Sequence, residues 1–445
     1  MKKRACLAVV LSVLLAQLPG CVNIGNIDEL YSLPQPQDEF LQLRELIDEE
    51  IAAGSEYLAP TVGSRRQSIQ LTDIDGDGRE EALAFLRNEE LVPKICVYKN
   101  IDGVYELAST ISGEGTAIGR VEYADLDGDG LSEIMVSWKT GTELMLVSAY
   151  SLKDWNTAVM LSENCADFLV GDIDGDGRSD ITALNFDDEG GGVEVFFADK
   201  AGDITHTGAN VSKSMKDADR FRISAIAGNV PAIFVEGHCK NEESGTWYMT
   251  DIFVFSEDKL RNITMDRETS DSVAKRSYEV FSCDIDGDVA LEVPFAEQVY
   301  IQPKVTAQYY VFDWYSYDTS GAPTLRLSTY HNYNDGWYLV LPTEWRNGFT
   351  VRRETDSSGE RSVVLSTYNP STEKVADIVT IYMLTDENRS DRAQLGGRFI
   401  LLSSEGTIYA AEFNDMQTEF VTEERKQDMI SRFHLIYSEW NTGAV

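Results

Sequence analysis

Four short acidic segments of the chain place carboxylates at the same four positions. Aspartate occupies positions 1, 3 and 5 of each segment, glycine occupies position 4, and aspartate or glutamate occupies position 9. The carboxylates are Asp73, Asp75, Asp77 and Glu81 in the first loop, Asp125, Asp127, Asp129 and Glu133 in the second, Asp172, Asp174, Asp176 and Asp180 in the third, and Asp284, Asp286, Asp288 and Glu292 in the fourth. Ca²⁺ takes about six to eight oxygen ligands with flexible geometry, and alternate residues of a curled loop can point inward. The four segments are therefore predicted to be calcium-binding loops.

Charge repulsion separates a metal site from an ordinary turn. A single Asp-Gly run is usually a solvated turn, but four carboxylates in one loop repel one another unless a cation is bound. An EF-hand is excluded, because position 12, where that motif needs a glutamate, holds Ala84, Val136 or Ala183. The fourth loop has Val289 at position 6, where the others have glycine, and a β-branched residue rarely adopts positive φ. We therefore expect calcium in the first three loops and a degenerate fourth site.

Apolar residues that alternate as in strands flank each loop. Four residues before the first aspartate stand Ile69, Val121, Phe168 and Val280. Each loop therefore joins the two strands of a hairpin. The first aspartates are 52, 47 and 112 residues apart, and the longest interval spans two periods. Near its midpoint, Gly228-Asn229 is predicted to be the turn of one more hairpin, without the acidic loop.

This repetition decides the predicted fold. The ranges Tyr338–Leu341 and Arg398–Leu402 are candidates for later first strands, which gives about seven units of 47 to 61 residues. Four short strands fill such a unit, and repeats of that kind are typical of propeller blades. The sequence thus predicts an all-β fold, a β-propeller of about seven blades with calcium-binding hairpin loops, plus short N- and C-terminal helices. Six or eight blades would also fit.

The acidic loops resemble those of FG-GAP or VCBS repeats, which form the blades of the integrin α-subunit propeller. The resemblance covers roughly residues 65–415 at the level of the period and is specific at the four loops. It implies a propeller with calcium in the hairpin between the first two strands of a blade. It also implies that the ions are structural and lie on one rim, while a partner binds the opposite face. No ligand-binding residue outside the loops carries over.

The N-terminal region is typical of an exported protein. Residues 1–20 combine a basic start with an apolar run, which is too short for a membrane-spanning helix and predicts a signal peptide. Leu18-Pro19-Gly20-Cys21 resembles the lipobox of bacterial lipoproteins, which implies cleavage before Cys21 and a lipid anchor on its sulfur. The alternative is an ordinary signal peptide that ends near a cysteine. We therefore expect an exported protein that is lipid-anchored at a bacterial membrane and faces away from the cytoplasm.

Two amphipathic helices are predicted at the ends of the folded part. Residues 21–37 are a predicted tether, residues 38–64 an N-terminal helix and connector, and residues 65–445 the propeller with a C-terminal helix. Asp38 to Ala53 shows apolar residues at helical spacing, and Gly54 can end that helix in the left-handed conformation. The second helix is predicted from Thr422 to Phe433.

Composition excludes some functions and leaves two open. The net charge of −37, which becomes −40 without residues 1–20, disfavours nucleic acid as a partner. No C-x-x-C spacing occurs, and none of the four histidines stands in a nucleophile or zinc motif. We expect a binding or scaffold module without chemistry of its own, for an extracellular protein or glycan. The alternative is a carbohydrate-active enzyme or lectin on a calcium-binding propeller.

One aromatic-rich region is a possible binding surface. It contains Tyr309, Tyr310, Trp314, Tyr315, Tyr317, Tyr330, Tyr333, Trp337, Tyr338 and Trp345. Exposed rings can stack on sugars or anchor a protein partner. Because the sheets of a propeller are covered on both faces, we expect most of these rings to lie in the core instead.

Overall fold

The computed structural model describes residues 38–142, 144–188, 190–241, 245–302, 307–346, 348–357, 359–414 and 422–436. The predicted signal peptide, the tether and Cys21 lie outside the described residues. The described residues form an all-β structure, with 53% of them in strands and 8% in helices. Their strands form six antiparallel sheets, which we number 1 to 6 along the chain.

The first three sheets are built mainly from consecutive strands. Sheet 1 contains β1 (Glu56–Tyr57), β2 (Ile69–Thr72), β3 (Glu81–Arg87), β4 (Pro93–Ile101) and β5 (Val104–Ser112). Sheet 2 contains β6 (Ala117–Ala124), β7 (Glu133–Lys139), β8 (Met145–Ser151) and β9 (Ala158–Cys165). Sheet 3 contains β10 (Asp167–Gly171), β11 (Asp180–Phe186), β12 (Gly191–Ala198) and β13 (Ile204–Asn210). Four strands that follow one another as a meander are typical of a propeller blade.

The last three sheets each have five strands. Sheet 4 contains β14 (Ala218–Ile226), β15 (Val230–Asn241), β16 (Gly245–Ser256), β17 (Lys259–Asn262) and β18 (Lys275–Arg276). Sheet 5 contains β19 (Val293–Gln298), β20 (Tyr310–Tyr317), β21 (Pro323–Asn332), β22 (Trp337–Val340) and β28 (Phe433–Leu435). Sheet 6 contains β23 (Phe349–Thr355), β24 (Arg361–Asn369), β25 (Lys374–Leu384), β26 (Phe399–Ser404) and β27 (Thr407–Phe413).

The hairpins predicted from the sequence are present. β2 pairs with β3, β6 with β7 and β10 with β11, so that each of the first three acidic loops connects the two strands of a hairpin. In the fourth loop the pairing is reduced to a bridge between Cys283 and Glu292. β14 and β15 are joined through Gly228 and Asn229, whose φ angles of 82° and 57° fit the tight turns that favour these residue types.

The number of sheets differs from the predicted number of units. The described residues form six sheets, one fewer than the seven units counted from the sequence. Tyr338–Leu341 overlaps β22, which lies inside sheet 5, and Arg398–Leu402 overlaps β26, at the edge of sheet 6. Both assignments as first strands were wrong, because an apolar strand has the same pattern at any place in a sheet. In the sequence, only a loop that is recognisable from its residue types, such as the acidic loops, marks where a unit begins.

The sheets pack on one another in chain order. Successive sheets contribute apolar side chains to shared hydrophobic clusters, which contain Phe85 and Trp138, Met135 and Phe168, Val193 and Phe253, Phe234 and Tyr317, and Tyr330 and Leu365. No hydrophobic cluster within the described ranges joins sheet 6 back to sheet 1. Each sheet thus shares a hydrophobic cluster with the next sheet along the chain, and closure into a propeller ring stays a prediction.

Helices pack beside the first and the last sheets. α1 (Asp38–Ala52) buries Leu43 and Ile47 against sheet 1, and Gly54 follows it with a φ of 97°. The short α2 (Arg389–Arg392) lies beside sheet 6. α3 (Glu423–Ser431) starts after Thr422, as expected, but ends two residues before Phe433, because β28 pairs with β22.

Candidate metal centres

Three carboxylates converge in each of the four acidic loops. They come from positions 1, 3 and 9, and their oxygen atoms lie within 4.8 Å of one another. The groups are Asp73, Asp75 and Glu81; Asp125, Asp127 and Glu133; Asp172, Asp174 and Asp180; and Asp284, Asp286 and Glu292. These are twelve of the sixteen residues that the sequence predicts as ligands. An oxygen-rich group of this kind suits a hard cation such as Ca²⁺.

The aspartate at position 1 holds the curl of the loop. In the second loop, Asp125 accepts hydrogen bonds from the backbone N–H groups of Gly128 at 2.7 Å and Gly130 at 2.9 Å. Both glycines have positive φ, 79° and 88°, which a residue with a side chain rarely adopts. Glycine at positions 4 and 6 therefore lets two amide groups turn back towards one carboxylate.

The carboxylate at position 9 is buried and fixed. Glu81, Glu133, Asp180 and Glu292 are at most 2% exposed. Each accepts a hydrogen bond from the backbone N–H of position 2, as Asp180 does from Ile173 at 2.7 Å. Burial, opposed by this hydrogen bond and reinforced by the nearby aspartates, raises the pKa values of Glu133, Asp180 and Glu292 to about 7.

An unpaired oxygen supports the fit of a cation. Oε1 of Glu292 is buried and has no hydrogen-bond partner among the described residues. A buried charged oxygen without a partner carries a large desolvation cost. A metal ion held by positions 1, 3 and 9 would supply that partner and neutralise the three carboxylates. The donor set thus fits a hard cation such as Ca²⁺, which these residues would hold.

The aspartates at position 5 lie outside the convergent groups. Each accepts a hydrogen bond from the backbone N–H of position 7. Each also pairs with a basic side chain: Asp77 with Arg79, Asp129 with Lys153, Asp176 with Arg178, and Asp288 with Arg326. Their predicted role as calcium ligands stays a prediction.

The fourth loop keeps the curl despite its valine. Val289 has a φ of 80°, and its N–H donates to Asp284 Oδ2 at 2.9 Å, as glycine does in the other loops. The expected positive φ at position 6 is thus confirmed, in a residue that adopts it at a cost. Arg326 of β21 contacts both Asp286 and Asp288. No sequence motif marks Arg326, which stands 34 residues beyond the loop and was missed.

The first three loops adjoin one another. The N–H of Ser132 in the second loop donates to the carbonyl of Ile74 in the first, at 2.8 Å. The N–H of Ser179 in the third loop donates to the carbonyl of Asp125 in the second, at 3.1 Å. The candidate sites therefore lie side by side along one edge of sheets 1, 2 and 3.

Half of the rings in the aromatic region lie in the core. Five of its ten rings are buried, namely Trp314, Tyr317, Tyr330, Trp337 and Tyr338. Tyr309 and Tyr310 are half-buried and Tyr333 is 39% exposed, and these three line a cavity of about 230 Å³ together with Arg353. The expectation that most of the rings lie in the core is therefore met by half of them.

Comparison with known proteins leaves the family open. No family model and no curated protein matches the chain. Among solved structures, the chain is similar to the periplasmic gluconolactonase of Pseudomonas aeruginosa, with a TM-score of 0.29 and 11% identity over 72% of this chain and 86% of that one. It is also similar to a putative exo-β-1,3-galactanase of Bifidobacterium bifidum, with a TM-score of 0.22 and 11% identity over 63% of this chain and 93% of that one. Within the described ranges, the helices are too short or too polar to cross a bilayer.

Proposed function

We propose that the protein is a calcium-stabilised binding or scaffold module, built from blade-like sheets and held outside the cytoplasm by a lipid on Cys21. One observation carries the calcium part of this proposal: three carboxylates converge within 4.8 Å in each loop. The first three loops, which have glycine at positions 4 and 6, are the main sites. The lipid anchor and the export are proposed from the N-terminal sequence.

The role of the ion in this proposal is structural. Calcium bound to positions 1, 3 and 9 would neutralise a loop that connects the two strands of a hairpin. Because the first three loops are hydrogen-bonded in series, ordering one loop also orders the backbone of the next. The chain itself contributes the fixed carboxylates and the amides that orient them. Calcium would thus stiffen one edge of the sheets and leave the other surfaces free for a partner.

Direct binding measurements test the calcium proposal. Equilibrium dialysis followed by elemental analysis of the folded domain is expected to find three calcium ions per chain at saturation of the complete loops. Magnesium is expected to substitute poorly, because it requires near-octahedral geometry and keeps its waters. Domain that is prepared without chelator and holds no calcium would refute the proposal.

The partner is proposed to be an extracellular protein or glycan. A strongly acidic surface disfavours nucleic acid. A pull-down with the soluble domain, run beside a glycan array, would identify the partner class. The domain is expected to bind without turning over common esters, phosphoesters or polysaccharides. Reproducible turnover that a single substitution abolishes would overturn the non-enzymatic part of the proposal.

A lectin or carbohydrate-active enzyme is the second candidate. The cavity lined by Tyr309, Tyr310, Tyr333 and Arg353 favours it, because aromatic rings stack on sugar faces and a guanidinium pairs with acidic sugars. Replacement of Tyr310 by alanine should abolish any glycan-array signal if this cavity is the site. A signal that survives the replacement would place glycan binding elsewhere.

A further inference from the structure

We propose that Arg326 takes the place of calcium in the fourth loop, so that this loop is a latent metal site held by a cation from the chain itself. The inference rests on the proposed calcium function of the other loops. It concerns a position that no loop motif contains.

The geometry shows a guanidinium that bridges two loop carboxylates. Arg326 Nε donates to Asp286 Oδ2 at 2.9 Å, and Nη2 donates to Asp288 Oδ2 at 2.7 Å. Asp286 occupies position 3, which belongs to the convergent group that would hold the metal. A guanidinium fork that pairs with two carboxylates supplies a fixed positive charge and directional hydrogen bonds. Calcium binding would therefore have to displace Arg326 from a ligand.

The other loops lack this contact. Their position-3 residues are Asp75, Asp127 and Asp174, and none of these forms an ion pair with a described side chain. The basic side chains near those loops pair with position 5 instead, as Lys153 does with Asp129 at 3.0 Å. The convergent carboxylates of the first three loops thus remain available to a metal, whereas the fourth loop has one of them engaged.

Strand register explains how Arg326 reaches the loop. In sheet 1, the residue after position 9 is Ala82, which pairs with Tyr98. In sheet 5, the equivalent residue is Val293, which pairs with Tyr315. Beside each of these tyrosines the next strand carries one extra, unpaired residue. Such a bulge redirects a side chain out of the regular pleat. The extra residue is Ala108 in sheet 1, Met160 in sheet 2 and Arg326 in sheet 5.

Arg326 therefore stands at the same bulge position that Ala108 occupies in sheet 1 and Met160 occupies in sheet 2. Sheets 1 and 2, whose loops are complete, have an uncharged residue there. Sheet 5 has an arginine and a loop with Val289 in place of glycine. The fourth loop nevertheless keeps Glu292 Oε1 buried without a partner, so an oxygen that a metal would use is still present. Removal of the guanidinium should therefore uncover a fourth calcium site.

The test counts calcium ions in matched variants of the folded domain. Wild-type protein should hold three ions at a calcium concentration that saturates the complete loops. Arg326→Met, which copies the residue of sheet 2, should hold four. Ala108→Arg, which brings the arginine to sheet 1, should hold two. Val289→Gly should still hold three, because it leaves Arg326 in place. Circular dichroism in calcium checks that each variant is folded.

The outcomes separate this inference from the calcium proposal. Four ions in the wild-type protein, or three in Arg326→Met, would overturn the role of Arg326 and leave the other loops as calcium sites. Four ions in Val289→Gly would also overturn it, because the valine alone would then limit the site. Three ions in Ala108→Arg would show that an arginine at the bulge position does not by itself block the loop. No calcium in any variant would refute the calcium proposal itself.

Discussion

The carboxylate of Glu133 accepts a hydrogen bond of 2.8 Å from the backbone N–H of Leu126. The two residues are at opposite ends of the second loop, and both are at most 2% exposed. The bond fixes a carboxylate in a buried position that faces Asp125 and Asp127. Burial, strengthened by these neighbouring charges, raises its pKa to about 7. If the loop binds calcium as proposed, protons and calcium compete for this carboxylate near neutral pH.

This competition predicts that calcium stabilises the protein more at pH 7.5 than at pH 5. Without calcium, a carboxyl whose folded pKa is raised from 4.5 to about 7 gives stability that is complete below pH 4.5 and lost as the pH rises through 7. Calcium binds the deprotonated form and removes this loss. The melting temperatures in calcium and in EGTA should thus diverge across the window from pH 5 to pH 7.5.

Two comparisons isolate the loops in this experiment. Burial lowers the pKa of His331 to about 3, and this group changes stability with the opposite sign, but equally in calcium and in EGTA. The difference between the two melting temperatures therefore reports the loops. Glu133→Gln, which mimics the protonated carboxyl, should reduce the divergence. A difference that is independent of pH would contradict the competition.

Removal of calcium should destabilise the whole domain. Each site that binds the folded state alone contributes roughly 2.7 kcal/mol at a hundredfold excess of calcium over Kd, and three sites give on the order of 8 kcal/mol. This is comparable with the total stability of a typical domain. EGTA should lower the melting temperature by many degrees, and added calcium should restore it. A melting curve unchanged by EGTA would show that the loops do not depend on the ion.

Matched aspartate substitutions should divide this effect among the loops. Asp127→Ala removes position 3 of the second loop, and we expect the loss of one calcium ion while the other complete loops still bind. Asp286→Ala removes the same position from the fourth loop, where Arg326 already occupies the carboxylate. Its effect on calcium-dependent stability, measured by melting in calcium and EGTA, should be smaller. Equal effects would contradict the distinction between the loops.

The features of the acidic loops that depend on residues close together in the sequence were predictable. The acidic residues and Gly128 share a segment of nine residues, so their spacing alone indicated the curl and the flanking hairpin. Gly228-Asn229 was predictable as a turn for the same reason. The place of Tyr338 in a sheet was not, because its strand pattern is the same in the first and fourth positions of a sheet.

Contacts that depend on strand register could not be predicted from the sequence. Arg326 contacts the fourth loop from a bulge in β21, and one sequence contains no signal for that bulge. The cover of sheet 1 by α1 is a contact of the same kind: the stripe of Leu43 and Ile47 predicted an amphipathic helix but not the surface it packs on.

The lipid anchor is testable independently of the folded domain. Because Leu18-Pro19-Gly20-Cys21 follows an apolar run, the exported protein should begin at a lipidated Cys21. Cys21→Ala should lose the lipid and leave the membrane fraction. Mass spectrometry of the mature N-terminus gives the answer directly, with the wild-type protein as control. An unmodified N-terminus at another residue would refute the anchor.

The strain at Val289 predicts that Val289→Gly stabilises the protein. Val289 has a φ of 80° and its side chain is exposed, so little packing is lost when it is removed. A non-glycine residue in this region costs on the order of 1 kcal/mol or more, and the free energy of unfolding should rise by about that amount. Urea unfolding in EGTA measures it without a contribution from calcium.

The reciprocal substitution is Gly177→Val, which brings the valine to the third loop. Gly177 has a φ of 89°, and a Cβ atom added there would meet no other atom within 4 Å. Backbone strain is therefore the cost that the change introduces, and the free energy of unfolding should fall by about 1 kcal/mol or more. If Val289→Gly has no effect while Gly177→Val destabilises, the fourth loop relieves its strain in a way that the third cannot. If neither changes stability, positive φ at position 6 costs nothing in these loops, and the degeneracy of the fourth site must come from Arg326 alone.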